Sequence, residues 1–127
     1  MSRGIYMKKI LIVDDQSEIR ELLDMTLKSD DYNIFQAESG QKAIDIAKKE
    51  KPDLIIMDIA IPGGTEGIEI TRTLKNDPDT KNSKIIMLTG RGIDTNRKKS
   101  LDAGADDFFA KPFSPLALIK KVEEVLG

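Results

Sequence analysis

A doubly wound α/β domain with a five-stranded parallel sheet is the fold class that the sequence predicts, and two observations predict it. From Lys8 onward, β-branched runs alternate with segments of helical period, which is the βα repeat. Four of those runs also stop on polar residues of different kinds: Ile10 to Val13 on Asp14 and Asp15, Leu54 to Met57 on Asp58, Ile85 to Leu88 on Thr89, and Phe108 to Ala110 on Lys111. Strands of one parallel sheet place their carboxyl ends together, and the crevice outside those ends is where open α/β sheets bind ligands. Carboxylates, a hydroxyl and an ammonium are therefore expected at one edge.

Each element has its own signal. The first strand, about Lys9 to Val13, leads into a helix near Ser17 to Lys28, with Ile19, Leu22, Leu23 and Leu27 on the face expected to turn inward. A second strand covers about Asn33 to Gln36. Ser39 precedes a helix running to about Lys49, with Ala43, Ile44 and Ala47 inward, and Pro52 marks the turn into the third strand, Leu54 to Asp58. The stretch Ile61 to Gly67 is a loop by its Pro and Gly content, followed by a short helix over Ile68 to Leu74. Polar residues from Asn76 to Ser83 connect to the fourth strand, Lys84 to Leu88. A weaker polar helix from about Asp94 to Ala103 closes at Gly104 and leads to the fifth strand, about Asp106 to Ala110. Ser114 and Pro115 suit the N-cap and first position of a terminal helix, whose inner stripe reads as Leu116, Ile119, Val122 and Leu126.

At 127 residues the chain suits one domain, expected over 8–127, with 1–7 read as a disordered or vector-derived extension. The balance of 20 Lys plus Arg against 22 Asp plus Glu, a net charge of -2, offers no global attraction to nucleic acid or to an anionic membrane. No apolar run approaches the roughly 20 residues of a spanning helix, so a cytoplasmic location is the expectation. The chain has no Cys and no His, which excludes thiol nucleophiles, disulfides, imidazole bases and ordinary zinc sites. Aspartates without imidazole or thiolate suit a hard cation such as Mg2+.

Adjacent Asp14 and Asp15, with Asp58 alongside, crowd like charge that a divalent ion would neutralise. Two readings stand for the pair: metal ligands, or caps of the following helix, whose amino end favours anions. With a metal in place one carboxylate is free to act as a nucleophile toward phosphorus, and Asp58 is the candidate. Lys111 would supply positive charge and Thr89 a neutral donor to phosphoryl oxygens. Taken singly, Lys111 reads as a solvated lysine and Thr89 as an ordinary strand residue; their meaning is collective.

As a set, Asp14-Asp15 after an apolar strand, Asp58 with Pro62 and Gly67 beyond it, Leu88-Thr89-Gly90, and Phe109-Ala110-Lys111-Pro112-Phe113 resemble the receiver domain of two-component response regulators, over about Lys8 to Leu126. The resemblance implies a flavodoxin-like sheet of order 2-1-3-4-5. It implies that Asp58 accepts a phosphoryl group from a histidine kinase or phosphotransfer protein, with Mg2+ held by Asp14, Asp15, Asp58 and the carbonyl of Ala60. Catalysis would fall to Asp58, Thr89 and Lys111, with Thr89 and Phe108 a coupled switch and a cis peptide between Lys111 and Pro112. The stretch with Arg91, Arg97, Lys98 and Lys99 falls on the helix 4, strand 5, helix 5 face that receivers use for partners, although a solvated helix face would look the same.

The resemblance further implies a downstream effector protein or output domain as partner, and a monomer or phosphorylation-dependent dimer. Direct binding to nucleic acid or membrane is not expected. Such a domain modifies itself and turns over no separate substrate. An aspartyl-nucleophile phosphatase would want a second acid two residues after the nucleophile, where Ala60 stands, and a phosphorylation-independent scaffold would not need the complete polar set. Two departures concern the loops: Gly63 to Glu66 reads one residue longer than the usual family loop, and Gly90 stands where alanine is commoner.

Overall fold

The computed structural model describes residues 7–59, 67–89, 93–111 and 113–127, with the side chains of 93–97 left aside. The elements alternate as β1 (Lys8–Val13), α1 (Ser17–Leu27), β2 (Tyr32–Ala37), α2 (Gly40–Glu50), β3 (Leu54–Asp58), α3 (Gly67–Lys75), β4 (Lys84–Thr89), α4 (Ile93–Asp102), β5 (Asp107–Ala110) and α5 (Pro115–Leu126). All the strand pairs are parallel, in the order β2-β1-β3-β4-β5. This is the order that the motifs imply. It reverses direction beside β1, so the crevice between the ends of β1 and β3 is the switch point of the sheet.

Strand neighbours point to opposite faces, and both faces are covered, which is why the central strands read as continuous apolar runs. Leu11, Val13, Ile55, Met57, Ile85 and Met87 form one core with Ala43, Ala47, Ile70 and Leu74 of α2 and α3. Ile10, Ile12, Leu54, Ile56, Ile86 and Leu88 form the other with Leu23 and Leu27 of α1 and Leu118 and Val122 of α5. The helix ends follow their sequence signals. The Ser39 side chain accepts a hydrogen bond from the Lys42 N–H at 3.2 Å, and the Ser114 side chain accepts one from the Ala117 N–H at 3.1 Å. Gly104 ends α4 at φ +107°, in the region that favours glycine.

The phase of two helices differs from the sequence reading. In α5 the inward seam is Leu118 and Val122, flanked by Ile119, Val125 and Leu126, whereas Leu116 is 79% exposed. Leu116 lies two residues before Leu118 and so about 200° around the helix, on the outer side. In α1 the seam is Leu23 and Leu27 with Ile19 beside it, and Leu22, about 100° off that line, is 47% exposed. Both helices carry more leucine than their seams use, and apolar spacing cannot say which leucine the sheet takes. Thr89 is the last residue of β4 rather than the first beyond it. The fifth strand begins one residue later than predicted because the Asp106 carboxylate accepts the Ile85 N–H at 2.8 Å and the Lys75 ammonium at 2.9 Å.

These packing assignments give unequal costs for similar truncations. Leu118→Ala is expected to lower the unfolding free energy by about 2–5 kcal/mol, and Leu116→Ala by less than about 0.5 kcal/mol, in urea denaturation.

Candidate functional site

The site is assembled where β1, β3, β4 and β5 end. Asp14 directly follows β1 and is 1% exposed; Asp58 closes β3 at 7%; Thr89 closes β4 at 1%. Asp15 is exposed beside them, and Lys111, directly after β5, is partly buried. The strand register holds these positions together: Met57 pairs with Val13, Asp58 with Leu88, and Ala110 with Thr89. Backbone bonds carry the alignment one residue further, with the Asp14 N–H donating to the Ala37 carbonyl at 3.1 Å and the Lys111 N–H to the Thr89 carbonyl at 2.7 Å.

Asp14, Asp15 and Asp58 each present a carboxylate oxygen, and these oxygens lie within 4.8 Å of one another. The Lys111 ammonium stands 3.5 Å from Asp14 Oδ2 and 3.6 Å from Asp58 Oδ1, bridging the two buried acids. The Gln16 N–H donates to Asp14 Oδ1 at 2.9 Å. The N-cap of α1 is Gln16, so neither aspartate occupies that capping position. Three oxygen donors this close, two of them buried, fit a small hard cation, and no histidine or cysteine is available to favour a softer one.

Burial pushes the Asp14 carboxyl above its usual range. The Gln16 N–H pulls the other way, the neighbouring Asp58 charge adds to the rise, and Lys111 opposes it without cancelling it. A residue missed as a structural necessity is Gly67. A Cβ there would collide with the Asp58 carbonyl oxygen, and the Gly67 N–H donates to the Ile59 carbonyl at 2.7 Å. Only a residue without a side chain lets α3 start this close to the end of β3. Phe108 is half-buried, packed against the core on the α2 and α3 side, while Phe109 packs against Phe113 on the opposite face, the rings tilted by 48° with 5.9 Å between their centres. Lys98 and Lys99 of α4 are exposed. Ala60, Pro62, Gly90, Arg91, Pro112 and the side chain of Arg97 lie outside the described residues, so the expected Ala60 carbonyl ligand, the longer loop and the cis peptide fall there too.

This geometry meets a sequence relationship. A family model described as "Response regulator receiver domain" matches residues 10–123. The chain belongs to the response regulator receiver domain family. The receiver is 44% identical over 119 residues to the phosphate regulon transcriptional regulatory protein PhoB of Pseudomonas aeruginosa, covering 94% of this chain and 52% of that one. It is 42% identical over 118 residues to the transcriptional regulatory protein ResD of Bacillus subtilis, covering 93% and 48%. The chain thus spans about half the length of these curated relatives.

Among solved structures, the receiver superposes on the chemotaxis protein CheY4 of Vibrio cholerae with a TM-score of 0.87 at 31% identity, covering 94% of this chain and 98% of that one. A CheY-like receiver domain protein of Methanospirillum hungatei gives 0.86 at 32% identity, with 94% of each chain covered. Receivers of this family are signalling modules of two-component systems and generally not true enzymes; they work with histidine kinases and output domains. Among the described residues, no helix is long and apolar enough to cross a membrane.

The raised Asp14 carboxyl has a measurable sign. A group that holds its proton more tightly in the folded chain favours the fold below its unfolded pKa and costs stability as pH rises through its folded pKa. In chelator, the unfolding free energy of the native receiver minus that of Asp14→Asn should fall as pH rises from about 4 toward 7, because only the native chain acquires the buried charge. A flat difference across that range would remove the burial account of Asp14.

Proposed function

We propose that this receiver is a phosphorylation-driven switch in which Asp58 accepts a phosphoryl group from the phosphohistidine of a histidine kinase or phosphotransfer protein. The observation that carries this reading is the seating of Asp58: a carboxylate 7% exposed, 3.6 Å from the Lys111 ammonium and beside the Asp14 and Asp15 carboxylates. A nucleophilic carboxylate needs the charge of an incoming phosphoryl group offset, and this is the only acidic cluster of its kind among the described residues. Asp14, Asp15 and Asp58 would hold Mg2+, together with the Ala60 carbonyl expected from the family pattern. Bound there, the cation would offset carboxylate charge and draw phosphoryl oxygens toward Asp58.

The remaining steps fall to the chain's own residues. An Asp58 oxygen forms the new bond to phosphorus as the phosphorus–nitrogen bond of the donor breaks, and the electron pair stays on the imidazole, which keeps the proton balance in the partner. Lys111, already between the two buried acids, turns its charge to the phosphoryl oxygens. The Thr89 hydroxyl moves toward the same oxygens as a donor, and Phe108 follows by repacking beside β4. Phosphorylation adds about -1.5 to -2 charge near neutral pH, enough to bias a two-state surface separated by a few kcal/mol. The α4, β5, α5 face, with Lys98 and Lys99, is the surface offered to an effector or output domain. The absence of histidine fits this division of labour, since the phosphohistidine belongs to the donor.

An acyl phosphate with Mg2+ should add one phosphoryl group to the native chain, read by intact-mass spectrometry. Asp58→Asn should stay folded and unmodified; labelling of that variant at the native rate would overturn the assignment. Thr89→Ala should still accept the group at Asp58 but show reduced NMR shift changes across Asp94 to Ala103 and around Phe108. Native-sized changes there would show that the hydroxyl does not couple site to surface.

A further inference from the structure

Of the clustered carboxylates, Asp14 has clear reasons to stay in place: it is buried, its Oδ1 accepts the Gln16 N–H, and Lys111 approaches its Oδ2. Asp15 has none of these. Its side chain is exposed, and among the described residues no hydrogen bond or ion pair holds it. It nevertheless presents an oxygen within 4.8 Å of those of Asp14 and Asp58. Backbone must therefore aim it.

The Asp14 carbonyl and the Asp15 N–H and Cα belong to one planar peptide unit, so a group that grips the carbonyl also fixes the plane in which the Asp15 Cα sits and from which its side chain departs. That grip comes from Arg20, one turn inside α1. Its Nη1 donates to the Asp14 carbonyl at 2.8 Å, and its Nε donates to Gln36 Oε1 on β2 at 3.1 Å. Gln36 Nε2 in turn donates to Asp24 Oδ2 on α1 at 2.8 Å. Guanidinium only donates and carboxylate only accepts, so the residue between them must accept at one end and donate at the other. The carboxamide of Gln36 does both, and donation runs outward from Arg20, to the Asp14 carbonyl on one side and through Gln36 to the Asp24 carboxylate on the other.

We propose that Arg20, braced by Gln36 and Asp24, is a positioning residue that aims the Asp15 carboxylate at the cation site. The inference rests on the Mg2+ reading given above, but the link between Arg20 and Asp15 can be measured apart from it. Arg20 acts through its planar fork rather than its charge. A lysine ammonium on a flexible stem cannot reproduce two donors held in one plane toward two acceptors, so Arg20→Lys should resemble Arg20→Met rather than the native chain.

The test uses 15N-labelled chain, first without metal and then titrated with Mg2+ alone. In Arg20→Met, Arg20→Lys and Gln36→Met, the Asp15 amide resonance should shift or broaden before any metal is added, while circular dichroism reports an intact fold. The Mg2+ dissociation constant should rise about 10-fold in the Arg20 variants, the size typical of losing a group that orients a metal ligand. Phosphorylation by acyl phosphate should need correspondingly more Mg2+ while keeping most of its rate at saturation, which a loss of general stability would not produce.

In an Asp15→Asn background, Arg20→Met should add less than about twofold, because its target is already gone. An unmoved Asp15 amide with unchanged Mg2+ affinity would overturn the proposal, as would a full tenfold loss persisting beside Asp15→Asn. If Arg20→Met does not fold, Gln36→Met carries the same test with the guanidinium retained. Should the native chain bind no Mg2+ while the Asp15 amide still responds to Arg20, the metal reading fails and the positioning link stands.

Discussion

The arrangement depends on one electrostatic constraint: acidic groups are brought to one edge of a sheet, two of them buried, with a single lysine between them. Close carboxylates oppose one another's ionisation, and removal from water penalises each charge further. Lys111 lies 3.5 Å from Asp14 and 3.6 Å from Asp58, and still the Asp14 carboxyl is held above its ordinary range, with burial the main cause. Burial and the neighbouring Asp58 charge together outweigh what the Gln16 N–H and Lys111 supply to Asp14. Such an edge, with three carboxylate oxygens within 4.8 Å of one another, suits a further positive charge.

A site with this imbalance must be held by something other than its own attractions, and the sheet supplies that. The two apolar cores clamp the strands from both faces, and the parallel register delivers Asp58 beside Leu88 and Ala110 beside Thr89. Local devices refine the placement. Gly67 lets α3 begin against the Asp58 carbonyl, where a side chain would collide. The Gln16 N–H anchors the Asp14 carboxylate, and Arg20 anchors the following peptide. Each acid is thus set by backbone or by a neighbouring donor, so the like charges meet without the strands having to part.

Fold and chemistry were legible in the sequence to different depths. Strand identity was clear because buried parallel strands are short, continuous and β-branched, and β3 begins and ends where its apolar run and Asp58 indicate. The polar set was clear for a related reason: a residue just past such a run has to lie at the sheet's carboxyl edge, whatever the helices do. Helix phase was not so clear. Leu22 and Leu116 are as apolar as Leu23 and Leu118, and only the position of the sheet beneath each helix decides which pair is covered. The reading of Asp14 and Asp15 as helix caps also gave way only when Gln16 was seen at the N-cap.

By itself, then, the sequence determined the class of fold, the set of groups at its working edge and the exclusion of thiol and imidazole chemistry. Those follow from residue type and local period, which are properties of the chain. The tertiary structure decided the rest: the ammonium equidistant from two buried acids, the contact that requires Gly67, and the relay from Asp24 through Gln36 and Arg20 to the peptide of Asp15. Each of these joins residues from different elements at distances of about a hydrogen bond. Side chains of that reach carry no periodic signal, so the partners become visible only when the strands and helices that carry them are packed against one another.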